Sequence, residues 1–148
     1  MIEIIRADIE ILEYAPGIFH EIRKQDGMTA EQVIESLDLF ANRSQAFNAG
    51  EASGASGSFF FFSHDSKFII KTMSSSERSL FLEVLPDYFV HLKKHRLSLL
   101  ARIYGIFTVK MEDIDEISLV LMANTAQVRH KAGIRHCFDL KGSMVNRK

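Results

Sequence analysis

Short apolar stretches separated by turn residues mark the first part of the chain. Between residues 9 and 24, apolar and charged positions mix around Pro16-Gly17, which predicts a strand or turn and then a short helix opening near Pro16. Thr29 and Gln32 have the spacing of a capping box, which predicts a second helix that ends near Leu39. The buried face of that helix is predicted to carry Val33, Ile34 and Leu37.

The middle of the chain has the pattern of paired strands. Residues 45–49 are compatible with a strand that feeds a loop at 50–57, which is rich in Gly, Ala and Ser. Residues 59–62 and 67–72 are predicted to form two strands joined by a turn at His64-Asp65-Ser66. Since side chains alternate along a strand, two of the four phenylalanines at 59–62 are expected to face the core and two the opposite side.

Helical spacing returns after this hairpin. Three serines before Glu77 mark a helix start, and apolar residues recur at helical spacing to about His95. Pro86 predicts a break or kink near Leu85. Strands are predicted at 99–109 and 114–122, joined by 110–113, then a polar connector at 124–133 and a final strand at 134–140. This order predicts an α+β fold, a mainly antiparallel sheet with helices packed on one side.

Composition adds the expectation of a single domain. The chain has 148 residues, of which 47% are hydrophobic and 25% charged, as in ordinary globular proteins. The sequence shows no apolar stretch long enough to span a bilayer and no secretory signal at its start. Cys137 is the single cysteine, so no internal disulfide can form, which fits a reducing compartment.

Charge is unevenly distributed along the chain. The net charge is −1, but the part from Arg129 onward has six basic residues and only Asp139 as an acid, which gives +5 there and −6 for the first 128 residues. A basic end of this kind suits an anionic partner, such as phosphoinositide head groups or an anionic membrane surface. The alternative is a solvated basic edge without a partner.

A glycine-containing loop followed by a strand lysine is the strongest chemical signal. Gly54, Gly57 and Ser58 precede the hairpin, and Lys71 lies near the end of its second strand. Such a loop lets backbone N–H groups approach phosphate oxygens, and the lysine supplies a positive charge. The alternatives are a flexible linker for the loop and a protective edge-strand position for the lysine.

Read with its neighbours, this segment resembles the phosphatidylinositol phosphate kinase family, over residues 8 to 148. The resemblance implies a kinase-like amino-terminal lobe. It also implies that the catalytic aspartate segment, the metal-binding aspartate and the lipid-selecting loop lie downstream and are absent from this sequence. The matching segments are Tyr14-Ala15-Pro16, Phe19, Ile22-Arg23, Ser36-Leu37, residues 56–62, residues 68–73, residues 85–88, residues 98–105, residues 122–124, residues 139–143 and Arg147.

The same resemblance implies a set of binding residues. ATP, accompanied by Mg with ligands expected downstream, is the implied cofactor, and a phosphoinositide at the membrane surface is the implied substrate. No residue of this chain is assigned as catalytic or as a metal ligand. The implied ATP-binding residues are Gly54, Gly57, Ser58, Lys71, Met122 and Asn124, and the implied lipid phosphate-binding residues are Lys141 and Arg147.

Several candidate residues also have plainer interpretations. Glu77 is a candidate partner of Lys71, although an acid in the first helical turn also complements the helix dipole, and this second role is favoured. The family usually has a basic residue where Ala55 stands. Asp139 is not expected to act as a catalytic base, because the metal-binding Asn of the protein kinase pattern is replaced by Met144. Arg147 lies near the end of the chain, where disorder is the alternative.

The whole chain, residues 1–148, is therefore expected to be one partial domain. It would have a helical region at 1–49 and a nucleotide-binding sheet with a long helix at 50–148. The expected activity is ATP-dependent phosphorylation of a phosphoinositide, of the 1-phosphatidylinositol-4-phosphate 5-kinase type, at the cytoplasmic face of membranes. The alternative is a non-enzymatic remnant that binds anionic membrane or a full-length kinase. No nucleic acid partner is expected, and dimerisation is left open.

Overall fold

The computed structural model describes residues 9–44, 59–127 and 136. Five strands and three helices lie within these residues. In chain order they are β1 (Glu10–Glu13), α1 (Pro16–Gln25), α2 (Ala30–Ser36), β2 (Phe60–Phe62), β3 (Phe68–Met73), α3 (Ser75–Lys94), β4 (Ile103–Met111) and β5 (Ile114–Ala123). The predicted strand at 45–49 lies outside the described residues, and so does the predicted strand at 134–140 apart from residue 136.

All five strands form one antiparallel sheet in the order β1-β4-β5-β3-β2. Helices pack against this sheet, which confirms the predicted α+β class. β3 lies between β2 and β5, so it is paired on both sides. β1 pairs with β4, and the N-terminal region therefore contributes an edge strand to the same sheet as well as two helices.

The core is formed where α1 and α3 meet the central strands. Phe68 and Tyr104 pack edge to face, with ring centroids 5.9 Å apart. The Tyr104 hydroxyl donates to Asp26 beyond the end of α1 at 3.0 Å, and Gln25 donates to the carbonyl of Leu92 at 2.7 Å. The buried apolar residues are Phe19, Ile22, Phe68, Leu85, Leu92, Tyr104, Ile106, Val120 and Leu121.

Two capping boxes begin helices where the sequence places them. In α2 the Thr29 hydroxyl accepts from the backbone N–H of Gln32, and the Gln32 side chain accepts from the backbone N–H of Thr29. In α3 Ser74 and Glu77 make the same reciprocal pair. Each box satisfies two backbone donors that a helix start leaves open, so the first turn is fixed by local sequence alone.

Arg78 joins α3 to the sheet. Its guanidinium donates to the buried hydroxyls of Thr108 at 2.9 Å and Ser118 at 2.7 Å, and pairs with Glu116 at 3.3 Å. The same group lies 5.4 Å from the ring centroid of Tyr14. The first turn of α3 is therefore anchored to β4 and β5 by a partly buried cation with several partners.

Two helix predictions are wrong in detail. Ile34 does not belong to the buried face of α2, because 70% of it is exposed, whereas Val33 and Leu37 pack against the core. Pro86 does not break α3, which runs unbroken past it to Lys94. Pro86 is exposed, so water can satisfy the Leu82 carbonyl that loses its helical donor.

Two strand predictions also need correction. None of the phenylalanines at 59–62 is fully buried: Phe59 and Phe62 are 41% and 44% exposed. Phe60, Phe61 and Phe62 form the edge strand β2, and Phe59 flanks it. Alternating side chains at the edge of the sheet have little core to pack against. The strand predicted from residue 99 begins at Ile103, because residues 95–102 form a loop in which Arg102 donates to backbone carbonyls.

Replacement of Arg78 tests the anchor of α3. In Arg78→Met the buried hydroxyls of Thr108 and Ser118 lose their charged donor, so we expect the free energy of unfolding to fall by about 3 kcal/mol. Urea denaturation followed by circular dichroism measures this change. Arg43→Met, at an exposed position, serves as the control and should stay within about 0.5 kcal/mol of the parent. Equal losses in the two variants would contradict the anchoring role.

Candidate functional site

Lys71 lies in β3, opposite Phe60 of β2 and Val120 of β5. Its ammonium nitrogen is 5.6 Å from the centroid of the Phe60 ring, which is within cation–π distance. The side chain is half-buried. Among the described residues, no carboxylate lies within 4 Å of the Lys71 ammonium. Within the described residues, the Lys71 ammonium therefore has an aromatic ring beside it and no carboxylate partner.

Met122 shares a face of the sheet with Lys71. It pairs with Ile69, and residues two apart in a strand point to the same side. Lys71 and the Met122–Ile69 pair are thus separated by about 7 Å along the strand direction. A half-buried methionine and a cation lie on one face of two central, paired strands.

Glu77 lies close enough to Lys71 for an electrostatic interaction, but its carboxylate hydrogen-bonds to Ser74. Its carboxylate accepts the backbone N–H of Ser74 at 2.7 Å. Hydrogen bonds from the backbone and side chain of Ser74 lower the pKa of Glu77, and the positive charge of Lys71 adds to this effect. The geometry gives Glu77 a capping role in the present arrangement, with its carboxylate near the lysine.

The chain enters the hairpin next to Lys71. Phe59 donates its backbone N–H to the Thr72 hydroxyl at 2.9 Å, and the backbone N–H of Thr72 donates to the Phe59 carbonyl at 3.0 Å. Phe59 directly follows Ser58 in the sequence. The loop candidates Gly54, Gly57 and Ser58 themselves lie outside the described residues, as do Lys141 and Arg147.

Asn124 has a structural role that its sequence position does not reveal. Its side-chain amide donates to the Ser66 carbonyl at 2.8 Å, and its backbone N–H donates to the Lys67 carbonyl at 2.8 Å. Its side-chain oxygen accepts the backbone N–H of Ala126 at 3.1 Å. These bonds tie the end of β5 to the turn between β2 and β3.

That turn, residues 63–67, is centred on the carboxylate of Asp65. One carboxylate oxygen accepts from the Ser36 hydroxyl of α2 at 2.7 Å, and the other accepts from the Ser63 hydroxyl at 2.7 Å. Lys67 contributes its backbone N–H at 3.1 Å and its ammonium at 2.9 Å. Ser66 has a left-handed backbone, with φ of 59°. Asn124 holds this conformation in place, because its side-chain amide donates to the Ser66 carbonyl and its backbone N–H donates to the Lys67 carbonyl.

Asp65 is consequently held in its ionised form. Burial alone raises its pKa, but the hydrogen bonds from Ser36, Ser63 and Lys67 outweigh burial and hold the pKa of Asp65 well below its usual range. The sequence pattern identified residues 64–66 only as a turn. Nothing in the local sequence showed that Ser36, 29 residues earlier, would share the carboxylate.

Other candidate chemistry is limited in the described part of the chain. His91 and His95 stack with ring centroids 4.8 Å apart, and the described residues include no group of three or more His, Cys, Asp or Glu side chains placed to hold a metal ion. Nor does any helix within them combine the length and hydrophobicity needed to cross a membrane.

Comparison with known proteins assigns the family. Residues 41–148 match the phosphatidylinositol-4-phosphate 5-kinase family. A Dictyostelium discoideum protein named "probable phosphatidylinositol phosphate kinase" is 36% identical over 137 residues, which cover 92% of this chain and 19% of that protein. The phosphatidylinositol 4-phosphate 5-kinase its3 of Schizosaccharomyces pombe is 35% identical over 141 residues, covering 95% of this chain and 18% of that protein.

A further relative, phosphatidylinositol 4-phosphate 5-kinase 7 of Arabidopsis thaliana, is 29% identical over 140 residues, covering 95% of this chain and 18% of its own length. The family match defines the class, a family of lipid kinases. The chain belongs to the phosphatidylinositol-4-phosphate 5-kinase family. It spans about a fifth of the length of these relatives.

Replacement of Asp65 tests the turn. In Asp65→Asn one carboxylate oxygen becomes an amide N–H₂ group, which cannot accept the hydrogen bonds that Ser36, Ser63 and Lys67 donate. We therefore expect the free energy of unfolding at pH 7 to fall by about 2 kcal/mol. Because the folded-state pKa is depressed, the stabilisation is complete above the unfolded pKa of about 3.9 and is lost as the pH falls below it.

The difference between parent and Asp65→Asn should therefore shrink between about pH 5 and pH 3. Urea denaturation at several pH values measures it. Asp115→Asn, at an exposed position in β5, is the matched control and should show little change at any pH. A difference for Asp65→Asn that stays constant as the pH falls would show that the carboxylate charge does not stabilise the turn.

Proposed function

We infer that this chain provides the nucleotide-binding lobe of a phosphatidylinositol phosphate kinase of the 1-phosphatidylinositol-4-phosphate 5-kinase type. Such an enzyme transfers the γ-phosphoryl group of ATP to a hydroxyl of a phosphoinositide head group. The observation that carries the proposal is the position of Lys71. This residue shares a sheet face with Met122, and its ammonium has no carboxylate partner among the described residues. Membership of the kinase family supports it.

In this proposal Lys71 binds the phosphates of ATP, and Met122 packs against the adenine. The ring of Phe60 lies 5.6 Å from the ammonium, and a cation–π contact of this kind leaves the ammonium N–H groups able to donate to phosphate oxygens. Gly54, Gly57 and Ser58 cover the phosphates through their backbone N–H groups, and the pairing of Phe59 with Thr72 supports this placement by bringing the chain in beside Lys71.

Asn124 contributes to this site indirectly in the same proposal. Its side-chain amide and backbone N–H are both engaged by the turn at 63–67, so it fixes the end of β5 beside the adenine position. Glu77 remains a candidate partner of Lys71, because the lysine charge already reaches its carboxylate. The sheet then holds both the phosphate and adenine contacts on paired strands, which keeps their separation constant.

The lipid side of the reaction is assigned to the basic end of the chain. Lys141 and Arg147 suit a lipid phosphate, because guanidinium and ammonium groups donate charged hydrogen bonds to phosphate oxygens. Mg would accompany ATP and neutralise part of its phosphate charge. The enzyme would act at the cytoplasmic face of a membrane. A non-catalytic role, binding anionic membrane or a full-length kinase, becomes the better interpretation if the protein binds no nucleotide.

Nucleotide binding by a Lys71 variant tests the proposal. Lys71→Met keeps the apolar stem over Phe60 and removes the charge, so we expect MgATP affinity to fall about 10- to 100-fold. Isothermal titration calorimetry measures both proteins. Lys110→Met is the matched control, since this exposed lysine lies in β4 beside the edge strand β1, and its affinity should equal that of the parent. Unchanged affinity in Lys71→Met, or no binding by the parent, contradicts the proposed site.

A further inference from the structure

An apolar cavity of about 310 Å³ lies between α2 and the sheet. Its walls are formed mainly by apolar side chains of these elements, among them Val33, Leu37, Ile70, Leu119 and Leu121. Ile70 pairs with Leu121, and it directly precedes Lys71 in β3. Because successive side chains of a strand point to opposite faces, the cavity lies on the sheet face opposite to Lys71. Its volume is at the lower end of the range of small-molecule sites, and its apolar lining is typical of them.

Gly105 leaves part of the cavity floor without a side chain. It pairs with Leu121, so a side chain at 105 would share the sheet face that lines the cavity. A Cβ atom at Gly105 would lie 2.6 Å from the ring of Phe107, which also borders the cavity. The Phe107 ring therefore occupies the place of the missing side chain, and the space between Phe107, Leu119 and α2 stays unfilled.

Hydrogen bonds at and beyond the end of α2 hold this helix at its distance from the sheet. The buried side chain of Asn42 donates to the carbonyl of Ser36 at 2.9 Å and accepts the backbone N–H of His64 at 2.7 Å. The Ser36 hydroxyl donates to Asp65, and His64 Nε2 lies 3.2 Å from the carbonyl of Glu35. Closing the cavity by moving α2 would break these bonds and leave buried polar groups unpaired. The cavity is therefore preformed.

One end of the cavity is polar and has no net charge. Glu13 and Arg23 line it, with 3.9 Å between a carboxylate oxygen and a guanidinium nitrogen. Arg23 also donates to the carbonyl of Tyr104. Among the described residues, no donor lies within hydrogen-bonding distance of the Glu13 carboxylate, whose side chain is 36% exposed. This end therefore offers a hydrogen-bond acceptor to a ligand, while the two opposite charges cancel.

We propose that this cavity binds an uncharged, largely apolar small molecule whose single hydroxyl group donates to the Glu13 carboxylate. The apolar part of the ligand contacts Val33, Ile70 and Leu119. A charged ligand is disfavoured, because the Glu13–Arg23 pair has no net charge and the apolar walls cannot stabilise an ion. Water is a poor occupant, since an ordered buried water needs several polar partners, which these walls lack.

A segment of polypeptide is a less suitable occupant than a small molecule. It would bring backbone N–H and C=O groups against apolar walls that offer them no hydrogen-bond partners. A single apolar side chain inserted from elsewhere in the chain would fill the space, and the experiment distinguishes this case, because a filled cavity binds no probe. The proposal does not rest on nucleotide binding, since Lys71 lies on the opposite sheet face and the experiment contains no nucleotide.

Titration of the full chain with phenylbutanol, which carries a terminal hydroxyl, tests the proposal. With methyl-labelled Ile, Leu and Val, NMR should show saturable shifts for Val33, Leu37 and Ile70, and little change for Leu92 in the buried core. We expect a Kd on the order of 100 μM. The carboxylate analogue phenylbutanoate should bind about 10-fold more weakly. Absence of saturable shifts, or shifts confined to methyl groups outside the cavity, would overturn the proposal.

Two variants locate the ligand. Glu13→Gln keeps the shape of the polar end and leaves the Arg23 charge unbalanced, so phenylbutanol should bind about 5-fold more weakly and phenylbutanoate about 5-fold more tightly. Val33→Phe should fill the cavity and abolish binding, whereas Leu39→Phe, at a position that is 80% exposed and outside the cavity, should bind as the parent does.

Parent-like binding of both probes by Glu13→Gln would contradict the proposed polar contact. Parent-like binding of phenylbutanol by a folded Val33→Phe would show that the ligand occupies a different place, which also overturns the proposal. If Val33→Phe does not fold, the comparison of the two probes in Glu13→Gln decides.

Discussion

The carboxylate of Asp65 is the interaction on which the arrangement of this sheet depends. It joins Ser36 of α2, the Ser63 hydroxyl and both the backbone and side chain of Lys67 at one point. The same turn receives Asn124 from the end of β5. A β-hairpin alone is marginally stable and its register is easily shifted. With the turn tied to α2 on one side and to β5 on the other, β3 has a single register, and the position of Lys71 follows from it.

For the candidate site, the consequence is that the sheet positions the Lys71 ammonium, and no carboxylate partner among the described residues does so. Lys71 is positioned through its strand neighbours and the Phe60 ring, and its charge reaches Glu77 without an ion pair in the described structure. Arg78, the residue after Glu77, anchors the first turn of α3 to buried hydroxyls of β4 and β5. The hydrogen bonds around Asp65 therefore fix the position of β3, which carries Lys71. Those of Arg78 fix the first turn of α3, which carries Glu77. Family membership gives this geometry a chemical context, that of lipid kinases.

Local sequence rules predicted the parts of this fold that local contacts determine. The capping box at Thr29, the helix start at the three serines before Glu77 and the hairpin around residues 64–66 are readable because their partners lie within a few residues. Ile34 was misplaced because α2 is short and only part of one face meets the core. The Asp65–Ser36 and Arg78–Thr108 contacts span 29 and 30 residues, and no periodicity reveals them. Lys71 was identified from its place near the end of the strand that follows the glycine-containing loop and from a family resemblance, whereas the hydrogen bonds of Asn124 required the fold.

An acyl-phosphate derivative of ATP, which transfers its acyl group to a lysine beside the bound phosphates, would test the nucleotide site most directly. Mass spectrometry of the digested protein identifies the modified lysine. The position of Lys71 on its sheet face predicts that Lys71 is acylated and that excess ATP protects it. Acylation confined to other lysines, or acylation of Lys71 that excess ATP does not reduce, would contradict a nucleotide site at this strand.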